Sequence, residues 1–234
     1  MMSTPQEAPG RSLNLPEYYL LTCLDDAGRL LAQSHTIRVG VAGAVLTDLA
    51  RRGSINVTQD LVTVHESAEV DLEEPLDAVL RIIADAPEPQ DAEQWINRFS
   101  RPALMDALMR NLEQRGEVIV SKKRFLGLIP RTRYIPQESY ARMDIYVRLR
   151  GTLMGRDTAL DATAWPVVQL LYSTNVLAAV FPGEQNRTMR ARLNEFHEQA
   201  RESQPAIAEA LQAVENSIAE ALTATRGQAT GLGR

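Results

Sequence analysis

The sequence predicts a mainly α-helical single domain, with about eight or more helices and small β-hairpins. Three observations carry this. From Val41 to Ala50 only Thr47 and Asp48 are polar, the profile of a helix buried on most of its surface. Elsewhere apolar residues recur at helical spacing behind start signals at Pro75, Asp91, Pro102 and Pro205. Strand-like alternation is confined to short runs near 55–64 and 117–136.

Residues 1–12 lack periodicity and read as a disordered tail. The domain is placed over 13–225. Pro16 sits at the start of a helix that runs to about Leu24, and Asp25-Asp26-Ala27-Gly28 is a turn. Leu30-Leu31-Ala32 reads as a short extended piece. The central helix spans about Thr36 to Arg52. Gly40 and Gly43 lie inside it, and each costs about 1 kcal/mol against alanine, so close approach of another backbone is expected there. Arg51 and Arg52 suit the negative end of the helix dipole, and Gly53 suits the residue after the cap.

Ile55–Val57 and Leu61–Val64 form a hairpin around Thr58-Gln59-Asp60. Pro75 opens a helix with Leu76, Val79, Leu80 and Ile83 on one stripe, ended by Ala86-Pro87-Glu88-Pro89. Asp91 caps a short helix carrying Trp95, Ile96 and Phe99. Pro102 begins another with Leu104, Leu108 and Leu112 in register, stopped by Gly116. The stretches 49–57 and 112–120 share the pattern Leu-x-x-Arg-Gly-x-aliphatic-x-Val, read as one helix-stop-strand punctuation used twice.

After the second hairpin a helix spans about Glu138 to Met154. Pro166 opens or kinks an apolar helix running to Phe181, with Trp165 and Tyr172 as packing residues. Arg187 to Glu202 is a charged helix with Met189, Leu193 and Phe196 inward. Pro205 starts the last helix, seamed by Ile207, Leu211, Val214, Ile218 and Leu222, and 226–234 reads as a flexible tail.

The composition narrows the function. The chain has 234 residues and a net charge of −5, which argues against wholesale nucleic-acid binding. Cys23 is the single cysteine, set among leucines, so no disulfide forms within the chain and a reducing compartment fits. No apolar secretory segment opens the chain. The run at 41–50 is bracketed by Arg38 and Arg51 and is too short for the roughly 20 residues of a membrane span. The expected location is cytoplasmic, with membrane contact only peripheral.

No catalytic or cofactor motif emerges. His35, His65 and His197 are scattered, without partners at metal-ligand spacing. Gly40-x-x-Gly43 lies inside a helix and lacks a phosphate-loop lysine, and there is no Gly-x-Ser-x-Gly elbow. The reading is non-enzymatic, without cofactor or metal.

The stretch with interaction character is the hairpin Val118 to Gln137. It carries Lys122, Lys123, Arg124, Arg131 and Arg133 and no acidic residue. Phe125, Leu126, Leu128 and Ile129 lie between the two basic groups. Apolar residues at a tip flanked by cations suit an anionic membrane surface. The same residues also suit packing on the helical core, or an oligomer contact through 117–136.

Leu15-Pro16-Glu17, Asp25 to Gly28, Gly40 to Val57, Glu74 to Leu80, Arg115 to Val118, Leu126-Gly127-Leu128 with Thr132-Arg133-Tyr134, and Leu170 to Phe181 occur in an order that resembles the Golgi phosphoprotein family. Its eukaryotic members are peripheral membrane adaptors that bind phosphatidylinositol 4-phosphate. The resemblance implies a helical fold, anionic lipid headgroups and protein clients as partners, and a hairpin used in both oligomer assembly and membrane contact. It places the lipid pocket's aromatic and basic positions on Gln33, Ala42, Pro102 and Met105, all of which depart in type. Arg38, Arg98 and Arg101 offer a different anion site nearby. The pattern is similar to the bacterial branch of the family, and a generic anionic preference follows.

Two rivals remain. A cytosolic oligomerising scaffold without lipid contact fits the same features. A winged helix also reads as helix, strand and basic hairpin, but Arg110, Asn111, Gln114 and Arg115 crowd the end of its would-be recognition helix instead of lining a face.

Overall fold

The computed structural model describes residues 13–65, 72–125, 129–154, 161–183 and 186–231. The N-terminal tail expected over 1–12 lies outside the described residues. Ten helices and two small antiparallel sheets make up the described chain.

Helix α2 (Ser34–Arg51) is the hub, with Ile37 and Val39 through Leu49 all buried. Packed around it are α1 (Leu15–Thr22), α4 (Ala92–Phe99), α5 (Pro102–Gln114), α7 (Ala164–Ser173) and α10 (Pro205–Gly231). The two central glycines are explained by side chains, which corrects the expected backbone contact. A Cβ on Gly40 would lie 2.1 Å from Tyr19 Oη, and one on Gly43 would lie 2.9 Å from both Ile218 Cδ1 and Val214 Cγ1. The partners come from α1 and α10, far away in sequence.

Helix α1 starts with a capping box, in which the Glu17 N–H donates to Asn14 Oδ1 and the Asn14 N–H to Glu17 Oε2, both at 3.0 Å. All eight of its residues are buried. The repeated Leu-x-x-Arg-Gly pattern is one cap used twice. Ser54 N–H donates to Leu49 O and Glu117 N–H to Leu112 O, with Gly53 at φ 71° and Gly116 at φ 75°.

Strands β1 (Ile55–Thr58) and β2 (Leu61–Val64) pair as expected, through a two-residue turn in which Gln59 and Asp60 both have positive φ. A third strand, β3 (Gln90–Asp91), joins the edge of β2 and was not legible, because its two polar residues carry no alternation. Helix α3 (Leu76–Ala84) and α4 follow, the latter capped by Asp91 and Gln94.

Two helix ends differ from expectation. The apolar helix stops at Ser173, because Asn175 takes a left-handed φ of 56° and Val176 N–H bonds Leu171 O. A separate short α8 (Leu177–Val180) carries the chain on. Helix α10 runs to Gly231, past Gly227 where the sequence suggested a flexible tail. The helix-forming Ala, Arg and Gln around that glycine offset its cost of about 1 kcal/mol.

Helix α6 (Tyr140–Met154) packs on α7, α1 and α9 (Asn186–Ser203) through Ile145, Leu149 and Leu153. Its opposite face is also apolar, with Tyr140, Met143, Val147 and Met154 exposed.

Candidate functional site

The basic hairpin consists of β4 (Val118–Phe125) and β5 (Ile129–Pro136), paired in full register from Val118↔Pro136 to Phe125↔Ile129. Alternation sorts its residues onto two faces. Val118 and Pro136 are buried, and Val120 and Tyr134 half-buried, on the face that lies over α5. A surface hollow there is lined by Asp106, Arg110, Glu113, Lys122 and Thr132. Burial pushes the Tyr134 phenol above its ordinary pKa, helped by the carboxylates of Asp106 and Glu113. The base of the hairpin is therefore core on this side, and its local charge is mixed. On the other face Ile119 is 55 % exposed, opposite half-buried Ile135.

Lys122 is exposed and Arg133 half-buried. For Lys123, Arg124, Phe125 and Arg131 the structure describes the strand backbone, pairing Lys123 with Arg131. Leu126 and Leu128 lie outside the described residues.

The pocket positions implied by the resemblance divide. Gln33 is exposed at the N-cap of α2, and Pro102 is exposed at the first turn of α5. Met105 is half-buried against the core. Ala42 is fully buried and faces the core, not a surface site. The two helix starts nevertheless meet. Arg38 Nε donates to Ser100 O at 2.8 Å, and its Nη1 donates to Ser34 Oγ at 2.7 Å. Arg101 is exposed at the N-cap of α5, one residue further on. Arg98 lays its guanidinium 5.2 Å from the Trp95 ring centroid. Arg38 and Arg101 are thus brought to one corner, and Arg98 is spent on stacking. Burial, then the Arg38 charge, hold the His35 imidazole below its ordinary pKa.

Sequence reasoning missed Ser34 and Ser100, whose part rests on a contact 62 residues apart. It also missed Ile119 and the outer face of α6. The latter had a signal: Tyr140, Met143 and Val147 follow i, i+3, i+7 on the side opposite Ile145 and Leu149.

Among the described residues no group of His, Cys, Asp and Glu side chains is arranged to hold a metal ion. None of the described helices is long and apolar enough to cross a membrane. No curated protein matches the chain. The family model for Golgi phosphoprotein 3 (GPP34) matches residues 15–217, nearly the whole of the helical fold described above. The chain belongs to the Golgi phosphoprotein 3 (GPP34) family.

Proposed function

We propose that the chain is a non-enzymatic peripheral membrane adaptor that docks on anionic lipid headgroups through the β4–β5 hairpin. The observation that carries this reading is the charge of the hairpin. Val118 to Gln137 hold five cations and no carboxylate in a protein of net charge −5, and the face turned away from α5 exposes Ile119. The family supports it, since the resemblance implies membrane contact by this hairpin. Arg38 and Arg101 supply a secondary anion-binding corner. The headgroup preference is generic and of the bacterial type, because Gln33, Pro102 and Met105 offer neither aromatic nor cation and Ala42 is buried.

Flotation with phosphatidylcholine vesicles, with and without phosphatidylserine, tests the reading. The full chain should float only with the anionic lipid. Replacing Lys122, Lys123 and Arg124 with serine removes about 1 kcal/mol per cation, so affinity should fall about a hundredfold at low salt and its salt dependence should flatten. At matched charge, phosphatidylinositol 4-phosphate should be preferred by less than about tenfold, or about 1.4 kcal/mol. A larger preference would mean that Arg38 and Arg101 rebuild a specific pocket. Equal flotation with neutral vesicles would sink the electrostatic reading.

A further inference from the structure

The outer face of α6 carries four exposed apolar side chains. Tyr140 is 85 % exposed, Met143 69 %, Val147 70 % and Met154 40 %. Helical spacing places all four on one stripe, about 21 Å long at 1.5 Å per residue. The opposite stripe, Ile145, Leu149 and Leu153, is in the core. A helix that is apolar on both sides is buried on one and unpartnered on the other.

The start of this stripe is tied to the base of the hairpin. At the hairpin base Gln137 N–H donates to Glu117 O at 2.8 Å. The Glu117 carboxylate also accepts from the Ser139 hydroxyl, one residue before Tyr140. Exposed Ile119 thus lies two residues along the chain from Glu117, which is bonded to Ser139 at the start of α6.

We infer that α6 is a second membrane-contact element, lying in the headgroup plane beside the hairpin, with Tyr140, Met143, Val147 and Met154 turned into the lipid. The inference rests on the membrane reading of the hairpin. Charge favours a bilayer as occupant. Segment 117–154 carries eight cations against three carboxylates, in a chain whose net charge is −5. Arg142 and Arg148 are held to the flanks by Asp26 and Asp161, at 2.8 and 2.6 Å, and Arg150 is exposed beside the stripe. A basic flank with an apolar face and a tyrosine at one end is the composition of an interfacial helix. Area disfavours a second copy, because four helix side chains and Ile119 fall short of the roughly 800 Å² per partner that a stable interface buries.

The test uses the full chain with Val147→Cys carrying a polarity-sensitive nitrobenzoxadiazole label. Cys23 is fully buried, and burial raises its thiol far above the usual range, so the label goes to position 147 alone. Vesicles containing phosphatidylserine should raise the emission several-fold. A Met143→Ser, Val147→Ser pair should lower vesicle affinity about tenfold at low and high salt alike, since the lost term is apolar. Its melting temperature should stay unchanged. If the wild-type chain binds but the label stays silent and the pair binds normally, the hairpin docks alone: α6 is excluded and the membrane reading stands. If the wild-type chain binds neither vesicle, both readings fall. If the pair instead turns an oligomer into a monomer in light scattering with vesicle affinity unchanged, the stripe is a contact between copies and the inference is wrong.

Discussion

A Gly43→Leu variant is expected not to fold, or to lose about 3 kcal/mol or more. Even the first side-chain carbon would stand 2.9 Å from Ile218 Cδ1 and Val214 Cγ1 and 3.3 Å from Leu170 Cδ2, three side chains of the buried α2–α7–α10 seam. Gly40→Ala gives the sharper check, because the sign of its effect is diagnostic. In a solvent-facing helix, glycine to alanine gains about 1 kcal/mol. At position 40 the new carbon would meet Tyr19 Oη at 2.1 Å and Cζ at 2.4 Å. Tyr19 cannot swing away, since its ring is fully buried and its hydroxyl is paired with Thr174 Oγ1 at 3.1 Å. A loss of about 2 kcal/mol should follow instead, seen as a fall of roughly 4–8 °C in melting temperature. An unchanged or raised melting temperature in either variant would show that α2 does not pack as described.

The second large effect concerns a buried carboxylate. Glu17 is fully buried, and its Oε1 accepts no hydrogen bond. Its charged neighbour is Arg115, whose Nε lies 3.8 Å from Oε1 and whose Nη2 also binds Glu73. Burial raises the Glu17 pKa, against the opposing pull of the Asn14 N–H and of Arg115. Arg115→Ala should lose about 3–5 kcal/mol at neutral pH, because it strands a buried charge beside a second carboxylate. Chemical denaturation would measure this. The direction with pH follows from the raised folded value. The stability contributed by the protonated form is complete below the ordinary carboxylate pKa and is lost as pH rises through the folded pKa. The Arg115→Ala defect should therefore shrink as pH falls from 7 toward 5. Glu17→Gln, which keeps the acceptor for the Asn14 N–H, should cost under about 1 kcal/mol or stabilise, and should rescue much of the Arg115→Ala loss. A defect in Arg115→Ala that does not change with pH would mean that Glu17 is not its origin.

Helix starts and stops were legible because they are local. Asp91 caps with the residue three places on, and Gly53 and Gly116 each take the positive φ that a place just past a helix end favours. The break at Asn175 escaped notice because asparagine is a weaker stop signal than glycine, and the apolar run continues past it. The candidate site was legible in part. The basic hairpin stands out as five cations in twenty residues. Which of its faces is free does not, because that depends on α5 lying under Val118, Val120 and Tyr134.

By itself the sequence determined the mainly helical class, the order of nearly all the elements, and the family through the order of its motifs. These depend on periodicity, caps and glycines, which act over a few residues. The tertiary structure decided what those elements meet. It put Tyr19 against Gly40, Arg115 against Glu17, and the start of α2 against the corner before α5, and it buried Ala42 while leaving Tyr140, Met143 and Val147 bare. Such contacts join residues 21 to 98 positions apart, and no local pattern encodes them. Burial is a property of the assembled helices: α6 has two apolar faces, and only packing selects which of them becomes core.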